Sequence, residues 1–211
     1  MFNICPQCGM YSEVKTIDPA GPHAICRHCG HAQPFRQLPA FVVTGASGSG
    51  KSAACLQLTP LLPECVVLEV DIFWRPEFAK PENDYRDFRN LCLRVGKNIG
   101  QSGRPVVLCG TAVPGQYESC PEIIYFDGLH YLALVCEDRV LKQRLRARPP
   151  WRQSGTPAAI NEMREFNDWL KTNAKTTTPP MTLLDTSSAT IQTTSQQIAA
   201  WVRRQLNTAN Q

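Results

Sequence analysis

Three sets of residues in this chain have the types and spacing that chemistry demands. The first is Gly45-Ala46-Ser47-Gly48-Ser49-Gly50-Lys51-Ser52, which fits G-x-x-x-x-G-K-[ST]. Glycines let such a loop curl so that its N–H groups point at phosphate oxygens. The helix that follows adds its positive N-terminal end. Lys51 then reaches the β- and γ-phosphates, and Ser52 ligates Mg²⁺. The motif binds the phosphates of ATP or GTP. It needs a strand entering and a helix leaving. Ala40-Phe41-Val42-Val43-Thr44 and the run through about Leu58 supply both.

The second set is cysteine. Cys5-Pro6-Gln7-Cys8-Gly9 and Cys26-Arg27-His28-Cys29-Gly30 form CxxC-x17-CxxC. Two knuckles, each followed by Gly, suit a zinc ribbon in which four thiolates close one tetrahedral site. The glycine permits the left-handed turn that brings backbone N–H groups to the first sulfur of each knuckle. A redox dithiol is the rival, but two paired knuckles in a short Gly/Pro-rich unit argue against it. His23, His28 and His31 are not needed as ligands once four cysteines are present. Lys15, Arg27 and Arg36 are offset by Glu13 and Asp18, so the unit has no basic patch for nucleic acid. It is expected to be structural or to dock a protein partner. The other six cysteines, Cys55, Cys65, Cys92, Cys109, Cys120 and Cys136, lie mostly in apolar segments and are expected to be reduced, buried small hydrophobes.

The third set is charged. Asp71 ends an apolar run twenty residues after Lys51. There a carboxylate can orient an acceptor hydroxyl and take its proton; alternatively it caps the segment Ile72-Phe73-Trp74. Glu69, two residues back on a strand, would share its side, as support for the site or as an exposed charge. Arg144, Arg148 and Arg152 recur every four residues, and guanidinium forks neutralise the charge that spreads over a transferring phosphoryl group. Arg144 and Arg148 would share a helical face. A solvated basic face is the plainer alternative. Arg139 and Arg146 are taken as surface. Trp74 and Tyr85 could wall an acceptor pocket, Phe78 is expected in the core, and His130 is expected to be structural.

These groups need a frame to hold them. Residues 1–36 are rich in Cys, Pro, Gly and His, with Pro34 to Pro39 as a linker. From Ala40 onward apolar strands alternate with helical patterns, which argues for an α/β fold with a parallel sheet and helices on both faces. Strands are expected at 40–44, 65–70, 106–109, 131–136 and 182–185. Helices are expected through about 58 and over 84–101, 138–148, 158–171 and 191–206. In the second of these, Phe88, Leu91, Cys92, Val95 and Ile99 form the apolar stripe. The division is a zinc ribbon over 1–36 and a phosphate-binding domain over 37–211.

On the P-loop, with Asp71, the arginine run Leu141–Arg148 and Leu184-Asp185-Thr186-Ser187 as weaker anchors, the segment from Ala40 to Leu206 resembles the nucleoside and nucleotide kinase-like branch of P-loop proteins. It is similar in outline to adenylate kinase relatives, zeta toxins and chloramphenicol phosphotransferase. The resemblance implies a three-layer α/β/α P-loop NTPase fold with a five-stranded parallel sheet in the order 2-3-1-4-5. It implies a lid carrying Arg148 and Arg152, with Arg144 at the nucleotide. One departure matters. Nucleoside monophosphate kinases usually end the third strand in Asp-Gly, and here it ends Cys109-Gly110-Thr111. Mg²⁺ would then fall to Ser52, water and Glu69 or Asp71.

Three functions stay open. The first is an ATP-dependent small-molecule kinase acting on a hydroxyl, with Lys51, Asp71, Arg148 and Arg152 as its catalytic residues. The second is a nucleoside monophosphate kinase. The third is a nucleotide-binding regulatory module contacting nucleic acid or protein through its ribbon. No Asn-Lys-x-Asp motif supports a GTPase. The net charge of +4, with 43% hydrophobic and 19% charged residues in 211, is too mild to argue for nucleic acid. No signal-peptide pattern or membrane-length apolar run occurs, so the expected setting is cytoplasmic.

Overall fold

The chain is described by a computed structural model that covers residues 3–18 and 20–209. Short strands of the cysteine-bearing region, β1 (Thr16–Asp18), β2 (His23–Ile25) and β3 (Ala32–Pro34), pair antiparallel into a three-stranded sheet. The apolar runs after Pro39 form a separate parallel sheet from β4 (Ala40–Gly45), β5 (Val66–Glu69), β6 (Val106–Cys109), β7 (Leu129–Val135) and β8 (Met181–Asp185). Its order is β5-β6-β4-β7-β8. Counted along the chain from β4, that is 2-3-1-4-5.

Parallel neighbours need crossovers, and helices provide them. These are α1 (Lys51–Leu61), α2 (Arg86–Gly100), α3 (Pro114–Glu118), α4 (Asp138–Arg146), α5 (Pro157–Asn173) and α6 (Ile191–Ala209). Side chains of β4 alternate between the two faces of the sheet. Phe41 and Val43 meet Ala54 and Leu58 of α1 and Ile198, Trp201 and Val202 of α6. Ala40 and Val42 join Phe88, Cys92 and Leu93 of α2 and Leu170 of α5. Because both faces are covered, the strands read as continuous apolar runs rather than alternating ones.

Three details differ from the sequence expectation. The buried face of α2 is Phe88, Arg89, Cys92, Leu93, Gly96, Lys97 and Gly100, while Leu91, Val95 and Ile99 are half-buried. Two cations and two glycines on that face hide it from an apolar count. The helix expected to reach Arg148 ends at Arg146, because a residue before proline is pushed out of the helical region, and Pro149 follows Arg148. Arg144 and Arg148 therefore do not share a helical face. Lastly, Cys55 and Cys109 are not reduced. The second turn of α1 lies on the end of β6, their Cα atoms are 6.6 Å apart, and the two sulfurs are bonded. Cys65, Cys92, Cys120 and Cys136 are free and buried, as expected.

The small sheet rests on the large one through α2 and the 3₁₀ segment Pro121–Tyr125. Phe35 packs edge-on against Tyr125, with centroids 5.9 Å apart, and the Lys15 backbone N–H donates to the Tyr125 hydroxyl at 2.8 Å. Arg94 bridges Glu13 at 2.6 Å and Glu122 at 2.8 Å, while the fully buried Glu122 also pairs with Lys97.

Candidate active site

The glycine-rich loop opens at the carboxyl edge of β4 and feeds α1, whose N-cap is Gly50. No side chain caps that terminus, so its first N–H groups are left for a ligand. Lys51 Nζ donates to the Gly45 and Ala46 carbonyls at 2.6 and 3.0 Å. Desolvation lowers its pKa to about 8, opposed by Asp71 and Glu69 and reinforced by Arg148. Ala46 is buried against Leu141 and Leu145 of α4 and Ile160 of α5, which fixes the loop to the far wall of the site.

A cleft of about 550 Å³ lies over this edge. Residues 47–54 form its floor, and Asp71, Thr111, Arg144, Arg148, Arg152 and Thr186 contribute to its walls. The sequence candidates Ser47, Gly48, Ser49, Gly50, Lys51, Ser52, Asp71, Arg144, Arg148 and Arg152 are thus brought together. Gly45 and Ala46 are not on its surface; they serve it through the carbonyls that hold Lys51. Asp71 is exposed and sits in a single 3₁₀ turn, Val70–Phe73, that no side chain caps. The capping alternative is therefore not what the structure shows. β5 ends at Glu69 and the chain then turns, so strand alternation does not carry Glu69 to the side of Asp71. Of the two, only Asp71 lines the cleft.

Arg144 forks onto Thr186, from Nη1 to Oγ1 at 3.1 Å and from Nη2 to the carbonyl at 2.7 Å. The Thr186 hydroxyl in turn donates to the Ser49 carbonyl at 2.9 Å. Burial lowers the pKa of Arg148, reinforced by neighbouring Arg152 and opposed by Asp71, so the three groups feel one another across the cleft. Arg139 and Arg146 are exposed, as expected. Trp74 leans on Tyr85 and Phe88 at 5.8 and 5.1 Å and keeps 44% of its surface open. Phe78 is half-buried against Phe88. His130 stacks on Phe41 at 5.5 Å on the strand β7, away from the cleft, and burial lowers its pKa.

Where an acid would end β6, Gly110 and Thr111 stand instead. A side chain on Gly110 would collide with Val70, and its Cβ would come within 4.0 Å of Asp71 Oδ1. Glycine here lets the Asp71 turn close on the loop after β6. Thr111 Oγ1 donates to the Gly45 carbonyl at 3.3 Å, and Arg89 Nη2 donates to the Thr111 carbonyl at 2.6 Å. Arg89 was not singled out from the sequence, and Thr111 and Thr186 entered only within the segments Cys109-Gly110-Thr111 and Leu184-Asp185-Thr186-Ser187, with no role of their own. Hydroxyls and a helix arginine carry no motif, and only the strand order brings them to one edge.

At the other end of the molecule, Cys5, Cys8, Cys26 and Cys29 hold their sulfurs within 4.8 Å of one another. The Cys5–Cys29 and Cys8–Cys26 separations are 3.7 and 3.8 Å. A tetrahedron of sulfurs about a zinc ion has an edge of about 3.8 Å, so the cluster fits the metal. Gly9 and Gly30 have φ of 71° and 73°, the left-handed turn each knuckle requires. N–H groups of Cys8 and Gln7 lower the pKa of the Cys5 thiol, whereas burial and the neighbouring thiols raise that of Cys29; a bound cation would favour the thiolate at all four.

No protein-family model matches the chain, and no curated protein does. Solved structures do match in shape. A sugar kinase from Janibacter superposes with a TM-score of 0.57 at 16% identity, over 79% of this chain and 95% of that one. The tunicamycin resistance protein of Deinococcus radiodurans gives 0.56 at 19% identity, over 79% and 96%. A gluconokinase from Sinorhizobium meliloti gives 0.54 at 18%, over 84% and 99%. At these identities the likeness establishes the fold alone, a three-layer α/β/α arrangement about a five-stranded parallel sheet. Among the described residues no helix is long and apolar enough to cross a membrane.

Proposed function

We propose that the chain is an ATP-dependent kinase that moves a γ-phosphoryl group to the hydroxyl of a small molecule. The observation that carries this is the shared cleft. The phosphate loop with Lys51 and Ser52 faces one carboxylate, Asp71, and three guanidinium groups, Arg144, Arg148 and Arg152. The loop N–H groups and Lys51 hold the donor phosphates. The bond from the γ-phosphorus to the ADP oxygen breaks, a bond to the acceptor oxygen forms, and the hydroxyl proton passes to Asp71. Arg148 and Arg152 offset the charge that spreads over the transferring group. Ser52 and Asp71 are oxygen donors in one cleft and would hold Mg²⁺, which would supply positive charge to the phosphates. A zinc ion on Cys5, Cys8, Cys26 and Cys29 is structural, and residues 1–36 form its ribbon, a unit separate from the 37–211 domain.

ATP consumption against a panel of nucleosides, nucleotides, sugars and hydroxy acids tests the reading. Lys51→Ala should abolish turnover with the fold intact. Asp71→Asn should lower kcat by about 10²–10⁴-fold for a hydroxyl acceptor and far less for a phosphate acceptor, which needs no base. Full turnover by Lys51→Ala would overturn it. Tight ATP binding with no turnover against the whole panel would favour a regulatory nucleotide-binding module.

A further inference from the structure

Helix α1 carries the phosphate loop into the body of the protein, yet little apolar surface holds its first turns. Only Ala54, Cys55 and Leu58 are buried along its eleven residues. Ser52, Leu56 and Gln57 face solvent, and no side chain caps the N-terminus. Ala54 brings a single methyl group, and Leu58 lies two turns in. From the α6 side the Ser195 hydroxyl donates to the Ala54 carbonyl at 3.1 Å. On the sheet side the strongest tie of those turns is the bond from Cys55 to Cys109. Cys65 shares the same apolar layer and stays free, so the bond marks this pair and not a general oxidation of buried thiols.

Both ends of the bond lie beside the cleft. Cys55 stands one helical turn after Lys51. Cys109 closes β6, and Thr111, two residues on, is a wall of the cleft. Weaker contacts run between the same two elements. The Gly110 N–H donates to the Val43 carbonyl at 3.1 Å. Thr111 Oγ1 donates to the Gly45 carbonyl at 3.3 Å, the same carbonyl that accepts from Lys51 Nζ. The covalent bond is what fixes how far the start of α1 stands from the end of β6. Cys55 and Cys109 are 4% and 1% exposed, so an attacking thiol reaches them only when the start of α1 lifts from the sheet. Phosphates bound to the open N–H groups at that terminus hold it down. Nucleotide binding and reduction of the pair therefore oppose each other.

Resting on the reading of the cleft as a nucleotide site, we propose that Cys55 and Cys109 are a redox-responsive positioning pair. Bonded, they set α1 for the phosphates; reduced, they release it and weaken nucleotide binding. The reductant is a dithiol. One of its thiolates attacks a sulfur of the pair and forms a mixed disulfide. Its second thiol then closes its own disulfide, and Cys55 and Cys109 leave as thiols, having gained two electrons and two protons. By linkage, the factor by which the bond tightens nucleotide binding is the factor by which nucleotide favours the bond.

Calorimetry on the zinc-loaded full chain, with Mg²⁺ and a non-hydrolysable ATP analogue as the probe, reads the effect. Reduction by dithiothreitol should lower the affinity by about 5–150-fold, the usual range for coupled sites. Cys55→Ala, Cys109→Ala and the double variant should each show that same loss, since each lacks the one bond. Losses through packing alone would instead add up in the double variant. Dithiothreitol should change none of the three further, which separates the pair from the zinc knuckles. In a buffer of fixed reduced-to-oxidised dithiothreitol ratio, the analogue should shift the pair toward the bonded form. Alkylation and mass spectrometry count the thiols at 55 and 109. Equal affinity in the oxidised and reduced wild type, additive losses, or a bonded fraction that ignores the analogue would overturn the proposal. Should a variant fail to fold, the wild type before and after reduction decides alone. No analogue binding in either redox state would count against the nucleotide reading and take this proposal with it.

Discussion

β4 and β6 bury every residue they contain, whereas β1, β2 and β3 bury only Ala24 among them. The large sheet is held by two apolar layers. The small one has Ala24 and Phe35 against Tyr125, a cysteine cluster, and a set of charges shared with α2. A segment of that size cannot bury enough apolar surface to fold by burial alone. Where hydrophobic burial runs out, ligation and buried charge have to take over. The two parts should therefore respond oppositely to chelators and to loss of single charges, and three measurements press on that contrast.

The largest effect should come from the metal. Zinc in thiolate knuckles contributes about 10–16 kcal/mol at pH 7 in isolated fingers. Elemental analysis should find about one zinc per chain for four thiolates. Chelation, or Cys26→Ser, should erase amide protection in β1, β2 and β3 and leave β4, β6 and β7 protected. If hydrogen exchange of the small sheet is the same with and without metal, burial and not ligation holds it, and the contrast collapses.

A smaller effect should come from the junction. Glu122 is fully buried and serves both Lys97 and Arg94. Glu122→Gln takes the carboxylate from two cations at once, and removing one partner of a buried pair costs about 3–5 kcal/mol. Urea melts should show the loss in the large domain, since Lys97 lies on α2. A change below about 1 kcal/mol would mean that the junction behaves like a surface pair.

The smallest effect is confined to the phosphate loop. Lys51 has its pKa lowered to about 8. Nucleotide phosphates favour the charged lysine and raise that value. Below pH 8 the lysine is already protonated and binding needs no proton. Above pH 8 binding must take one up, so affinity should fall by up to about tenfold per pH unit. Calorimetry at pH 8.5 in buffers of different ionisation enthalpy should register the uptake. Lys51→Arg should remove it, and a flat affinity from pH 7 to 9 would contradict the assignment.

How much of this could be read from sequence follows the same divide. The strands were legible because apolar runs between glycine and proline breaks are dense in the large sheet; their order followed from the resemblance to P-loop kinases and not from the runs. The knuckles and the phosphate loop were legible because their chemistry fixes spacing. Arg89 and Lys97 were not, since a helix whose buried face carries cations and glycines defeats a count of apolar residues. Nor was Thr186, whose hydroxyl acts through contacts 137 and 51 residues away with Ser49 and Val135. The end of α4 was misplaced by two residues, although the Pro149 that causes it was in view.

The bond between Cys55 and Cys109 also has a topological meaning. It closes residues 55–109 into a covalent ring, and that ring holds β5, the Asp71 turn and all of α2. The exposed 3₁₀ turns at Pro76–Phe78 and Pro81–Asn83 lie inside it. Their basic residues, Arg75 and Lys80, are each followed by proline, which denies them to trypsin, whereas Glu77 and Glu82 are exposed to a glutamate-specific protease. A chain nicked at either would run as one species on a non-reducing gel and as two fragments once reduced. The pieces bearing Asp71 and Arg89, severed along the backbone, would still be tethered around the same cleft.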